Sequence, residues 1–237
     1  MFRGYGSFIR EFFRTSYTTG AVLPSGPSLC RALAAYVNAE VDERGRPRRE
    51  NPEEVRAARR ILEIGPGTGC VTRVIAQRLG PEDTLDLIEC NPVFVKNLRR
   101  MMERDPVMRP VADRVRIFEC YVQDHPVQER YERIISGLPL NNFPAELVSE
   151  ILSHFRRLSA PGGTVSWFEY IAIRRMKSMV SFGSDGDRLR GITAALEAVL
   201  KPYEFRRQAI PLNVPPAWVH HVRFTDENEQ DRENAIS

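Results

Sequence analysis

Cysteine and histidine are scarce in these 237 residues, and neither is arranged for metal or redox chemistry. Cys30, Cys70, Cys90 and Cys120 stand far apart with no CxxC pair, and His125, His154, His220 and His221 make no ligand spacing with them. A disulfide framework and a zinc site are therefore not expected. Long hydrophobic runs are also missing. Mean hydropathy is −0.35, and no stretch approaches the ~18 apolar residues that a spanning helix needs. Arg10, Glu11 and Arg14 interrupt the place where a secretory signal would carry its apolar core. A cytoplasmic chain is expected. No internal repeat is visible, and no large charge excess, since 34 Lys and Arg face 31 Asp and Glu. That balance hides a division. Residues 226–237 hold five acids against Arg232, a net of −4, which leaves +7 over residues 1–225.

What is present begins with residues 2–14. At ~100° per residue, Phe2, Tyr5, Phe8, Ile9, Phe12 and Phe13 share one helical arc, and Arg3, Arg10 and Arg14 share the opposite side with Ser7 and Glu11. Such a helix suits the headgroup region of an anionic bilayer or, alternatively, docks its aromatic face on the domain core. A second helix is predicted from Ser25 or Gly26 as N-cap, with Pro27 in its first turn, to about Asn38. Residues 42–60 are charged and read as an exposed connection.

From residue 60 strands and helices alternate. Strands are predicted at 60–64, 84–89, 115–118, 133–136 and 163–170, with helices at 69–79, after Asn91-Pro92 and from Pro144 to Leu158. Pro161-Gly162-Gly163 reads as a turn. A helix at 187–200 and late strands at 203–210 and 217–225 complete the pattern. The fold class is α/β, a doubly wound, mostly parallel Rossmann-like sheet. The organisation is an amphipathic segment at 1–16, a helical extension and charged connection at 17–59, the α/β domain at 60–225, and an acidic tail at 226–237.

Ile61-Leu62-Glu63-Ile64-Gly65-Pro66-Gly67-Thr68-Gly69 is a strand emptying into a glycine-rich turn, and Glu89 closes the next strand, where a carboxylate can accept both hydroxyls of a ribose. A dinucleotide fingerprint would want Gly or Ala where Cys70 stands, and an acid such as Glu63 would repel a pyrophosphate. The same acid suits a ligand carrying an ammonium and a sulfonium. The segment resembles class I S-adenosylmethionine methyltransferases, which implies a seven-stranded sheet with one antiparallel late strand, and methyl transfer without a metal, leaving S-adenosylhomocysteine.

After the fourth strand, Ser136-Gly137-Leu138-Pro139-Leu140-Asn141-Asn142-Phe143-Pro144 resembles the Asn/Asp-Leu-Pro-aromatic loop of methyltransferases acting on amino nitrogens. Gly137 takes the place of the Asn or Asp, and Leu140 that of the aromatic. Main-chain carbonyls near Ser136, Gly137 and Leu138 carry over, with Asn141 or Asn142 as replacements. The order of the aromatic helix, Thr19–Ser25, Glu63–Gly69, Glu89–Pro92 and Ser136–Pro144 is similar to that of the bacterial soluble, peripheral phospholipid N-methyltransferases. The resemblance implies methylation of phosphatidylethanolamine toward phosphatidylcholine at an anionic membrane surface, on the inner face of the cytoplasmic membrane, with neither nucleic acid nor an obligate protein partner.

The resemblance assigns membrane contact to Phe2, Arg3, Tyr5, Phe8, Ile9, Arg10, Phe12, Phe13 and Arg14. It assigns the cofactor to Thr19, Gly20, Glu63, Gly65, Pro66, Gly67, Gly69, Glu89, Cys90, Asn91, Tyr121, Val122, Gln123 and Ser136. Cys120-Tyr121-Val122 stand in the usual Gly-Asp-Ala position, with Asp124 as a displaced acid. Tyr17, Tyr121 and His125 are candidates for relaying the proton of the substrate ammonium, and Phe143, Trp167 and Tyr170 for facing methylated products. Arg174, Arg175 and Lys177 are candidates for lipid phosphate. Two other readings remain open: an rRNA adenine dimethyltransferase, and a non-catalytic module that binds a nucleoside and a membrane.

Overall fold

A computed structural model describes residues 25–39, 57–171 and 184–224. The aromatic segment, Tyr17, Thr19, Gly20, the Arg174–Lys177 cluster and the acidic tail lie outside the described residues. Seven strands form one sheet: β1 Arg60–Ile64, β2 Thr84–Ile88, β3 Val115–Phe118, β4 Tyr131–Ser136, β5 Ser159–Tyr170, β6 Glu204–Ile210 and β7 Ala217–Arg223. Their order is β3-β2-β1-β4-β5-β7-β6, and β7 alone runs antiparallel to its neighbours. Among the described residues, five α-helices accompany the sheet: α1 Pro27–Leu33, α2 Cys70–Ala76, α3 Pro92–Arg104, α4 Ala145–Leu158 and α5 Ser184–Tyr203. This is a Rossmann-like arrangement with one antiparallel late strand, as the sequence resemblance implies. Among the described residues, no helix is long and apolar enough to cross a membrane.

Strand β1 shows why the sheet is buried on both faces. Leu62 and Ile64 enter one hydrophobic cluster with Leu147, Val148, Ile151 and Phe155 of α4. Ile61 enters the other, with Leu29 and Leu33 of α1 and Ile75 of α2. The period-2 alternation sends neighbouring apolar residues to opposite cores, each worth roughly 1.5–3 kcal/mol when fully buried. Helix α4 buries Leu147, Val148, Ile151, Leu152, Phe155 and Leu158 along a single stripe, so Phe155→Ala would cost about 3–5 kcal/mol.

Helix α3 starts where sequence expects it. The Asn91 side chain accepts from the Val93 N–H, and Pro92 occupies the first turn. Helix α1 is shorter than predicted: it ends at Leu33 and turns through residues 34–38. Buried arginines use that turn. Arg59 donates to the Val37 carbonyl (3.1 Å) and Arg133 to those of Tyr36 (2.7 Å) and Ala39 (3.0 Å), which staples the extension to β1 and β4.

The Pro161–Gly163 turn is corrected by the structure. These residues belong to β5, where six residues, Ser159 to Thr164, span the step that β4 takes from Tyr131 to Arg133. Gly162 has φ +70 and a Cβ on Gly163 would stand 2.8 Å from the Ala160 carbonyl oxygen and 2.9 Å from that of Tyr131, so the dipeptide builds a bulge within the strand.

Candidate active site

The carboxyl ends of β1 to β4 meet at one edge of the sheet, the edge at which open α/β sheets bind ligands. There the three loop glycines turn the chain with positive φ, +68 at Gly65, +54 at Gly67 and +80 at Gly69. The loop closes on itself through Gly69 N–H to the Pro66 carbonyl (2.9 Å) and is tied to β2 through Gly65 N–H to the Ile88 carbonyl (2.9 Å).

Glu89 is held before any ligand arrives. One carboxylate oxygen accepts from the Gly67 N–H (3.0 Å) and the other from the Asn91 N–H (2.9 Å). Burial raises its pKa, and these main-chain donors pull it partly back. The glycine loop and the start of α3 thus share one carboxylate.

Glu63 is different. It is 1% exposed, both oxygens lack a hydrogen-bond partner, and the hydroxyl of neighbouring Thr72 is equally unpaired. Desolvation pushes the carboxyl up to about 8, with Thr72 acting against the shift and Glu89 adding to it. A buried carboxyl without a partner is costly to ionise, and a cation bound over the glycine loop would offset that cost.

A narrow cleft lies beside the loop. It brings together Gly65, Glu89, Cys90, Tyr121, Val122, Gln123 and Leu138 of the sequence-derived set, with Phe143 at its wall. Gln123 Oε1 is buried without a partner, an acceptor suited to the exocyclic amine of an adenine. Asp124 is exposed and does not line the cleft, which corrects its assignment. Asn91 is occupied as a helix cap, and Pro66 and Gly69 support the loop from beneath.

The acceptor loop leaves β4 against the glycine loop. Gly137 N–H donates to the Ile64 carbonyl (2.8 Å), and a Cβ on Gly137 would stand 2.5 Å from the Gly65 carbonyl oxygen. No side chain fits there, which is why glycine replaces the expected Asn or Asp. Ser136 is fully buried, and its hydroxyl accepts from the Leu138 N–H (3.2 Å), a turn-forming role. Asn141 is buried and donates to the Tyr170 carbonyl (3.4 Å), tying the loop to β5, while its Oδ1 has no partner.

Several expectations are revised. His125 does not line the cleft; its ring pairs with the Tyr131 hydroxyl (2.9 Å), which donates to Asp86 (2.8 Å), itself gripped by Arg116 (2.6 and 2.7 Å). Its pKa is lowered, chiefly by burial. Trp167 is fully buried and stacks on His220, and Tyr170 packs on Phe168, so neither aromatic face meets the cleft. Sequence reasoning missed Ile64, Ile88 and Ile151 as lining residues. The first two follow from strand ends, but Ile151 reaches the cleft from α4 and carries no local signal.

Comparison with known proteins agrees with this geometry. Residues 61–163 match the methyltransferase domain family Methyltransf_25. An ornithine lipid N-methyltransferase of Singulisphaera acidiphila is 29% identical over 157 residues, 66% of this chain and 73% of that protein. A tRNA1(Val) (adenine(37)-N6)-methyltransferase of Yersinia pestis is 33% identical over 86 residues, covering 35% of this chain and 32% of that protein. The O-methyltransferase of Bacillus cereus, solved with S-adenosylhomocysteine, shares the fold at 15% identity, with a TM-score of 0.58 over 92% of this chain and 91% of that one. The unpartnered Glu63, the pre-held Glu89, the glycine cradle and the Gln123 acceptor fit S-adenosylmethionine, and all of them lie within residues 61–163, the part of the chain that matches the methyltransferase domain family.

Proposed function

We propose that this protein methylates the amine of a membrane lipid, phosphatidylethanolamine and its mono- and dimethyl forms, at an anionic membrane surface on the cytoplasmic side. The observation that carries this reading is the acceptor loop: the Gly137 main chain lies against the glycine loop, where no side chain fits, which leaves main-chain groups to meet an acceptor there. Carbonyls accept N–H bonds and orient an amine's lone pair without adding a charge.

When bound, S-adenosylmethionine supplies a methyl already activated by its sulfonium. Glu63, Gly65 and Gly67 would hold its methionine part, Glu89 its ribose and Gln123 its adenine. The protein's remaining task is to present a neutral amine in line. A free lipid ammonium titrates near a lysine, at roughly 10, and the apolar wall of Ile64, Ile88, Leu138, Phe143 and Ile151 favours its neutral form by desolvation. Phe143, fully buried, contributes an aromatic surface for a product that has lost its N–H donors.

The relative from Singulisphaera supports a lipid-borne amine and favours an ornithine lipid as a second reading. Transfer of labelled methyl groups separates the readings when vesicles of phosphatidylethanolamine, vesicles of ornithine lipid and transfer RNA are offered in parallel. Label in phosphatidylethanolamine and its methylated forms is expected; label in RNA alone would reject a lipid substrate. Residues 2–14 are proposed as the attachment helix, so Phe8→Glu or Phe12→Glu should abolish vesicle binding and leave cofactor affinity nearly unchanged.

A further inference from the structure

The turn between β6 and β7 holds two of the three large hydrophobic side chains that stand exposed among the described residues, Leu212 at 87% and Val214 at 71%. Between them Asn213 is only 5% exposed. Its Oδ1 accepts from the Gly26 N–H (3.1 Å), its Nδ2 donates to the Pro215 carbonyl (2.7 Å), and its own N–H donates to Ile210 (3.3 Å). With Pro211, Pro215 and Pro216 on either side, little chain entropy remains to be lost if the tip meets a partner. The two apolar side chains are thus presented outward by a clamped turn.

Its place in the fold says what the partner is. Tyr170 pairs with Ala217 and Ile171 N–H donates to the Pro216 carbonyl, so the turn stands at the carboxyl end of β5. The acceptor loop is at the same edge, tied to Tyr170 by Asn141. Gly26, which Asn213 holds, opens α1, so the chain arriving from the aromatic and basic segment enters the fold beside the tip. Behind the tip on edge strand β6, Arg206 and Arg207 are exposed, roughly 10 Å back from Ile210 at ~3.3 Å per residue. Arg207 lies over the half-buried Trp218 ring at 5.2 Å. Aliphatic tips with an arginine and tryptophan collar behind them match the layering of an anionic bilayer, acyl chains first and headgroups next.

We infer that the β6–β7 turn is a second membrane contact, in which Leu212 and Val214 enter the lipid and Arg206 and Arg207 meet the headgroups, turning the sheet's carboxyl edge toward the substrate. The inference rests on the lipid reading above.

The test is co-sedimentation of the full chain with vesicles of phosphatidylglycerol and phosphatidylethanolamine, comparing wild type with Leu212→Ser/Val214→Ser, alongside methyl transfer to monomeric short-chain phosphatidylethanolamine. A vesicle affinity at least ~10-fold lower in the double variant, with cofactor affinity and transfer to the monomeric lipid unchanged, is the expected result. Equal vesicle binding by both proteins overturns the inference and leaves the lipid reading standing. Transfer to monomeric lipid by a wild type that binds no vesicle does the same. Failure of the wild type in both assays removes the lipid reading itself, and the inference with it. If the double variant instead loses thermal stability, or turns a dimer into a monomer, the tip packs on this chain or on a second copy and the inference is wrong.

Discussion

Gly137 and Gly65 meet backbone to backbone: a Cβ on Gly137 would stand 2.5 Å from the Gly65 carbonyl oxygen, and the carbon behind that oxygen would lie 3.5 Å away. The contact locks the acceptor loop to the cofactor loop. Because the clash is with main chain, introducing the amide expected from the sequence by Gly137→Asn should not support methyl transfer. Methyl transfer is expected to fall at least ~100-fold and stability by about 2–4 kcal/mol, read by turnover assay and denaturant midpoint.

If Glu63 faces the bound cofactor as proposed, cofactor binding depends on pH. The folded pKa of Glu63, about 8, lies above the unfolded value near 4.5, so the folded state holds the extra proton between them. Wild-type stability should therefore decline as pH rises from about 5 through 8. A cationic ligand favours the ionised carboxyl, so S-adenosylmethionine affinity should rise over pH 6–8 and binding at pH 7 should release close to one proton. Calorimetry in buffers of different ionisation enthalpy measures that release. Glu63→Gln should abolish it, weaken binding at least ~10-fold and flatten the pH dependence of stability.

Gln123 offers the cleft an unused acceptor. Gln123→Leu should weaken S-adenosylmethionine and S-adenosylhomocysteine by a similar factor, roughly 5–20-fold, because the adenine is common to both. An effect on only one of them would place Gln123 at the methionine end.

The His125–Tyr131–Asp86 chain lies away from the cleft, and its role is structural. Tyr131→Phe should cost about 1–2 kcal/mol of stability and leave the pH profile of methyl transfer unshifted. A shifted profile would return His125 to the reaction.

How much of this was legible follows from range. Strands β1 and β3 match the expected residues, α3 opens at the expected Asn91-Pro92 and α4 lies within a residue of its expected bounds, because Asn91-Pro92, Pro144 and the period-2 and 3.6 patterns are local signals. The glycine loop with Glu63 and Glu89 was legible for the same reason. The bulge at Pro161–Gly163 was not, since a Pro-Gly-Gly turn and a bulge share local chemistry, and only pairing with β4 distinguishes them.

The amino-acid sequence by itself determined the alternation of elements, the cofactor loop and the position of an acceptor loop, all carried by residues adjacent in the chain. Only tertiary structure decided that Gly137 must be glycine, that Gln123 instead of Asp124 faces the cleft, that Trp167 and His125 are withdrawn from it, and that Leu212 and Val214 share an edge with the acceptor loop. Each of these depends on a contact between residues far apart in sequence, and close packing sets such contacts only once the sheet has assembled.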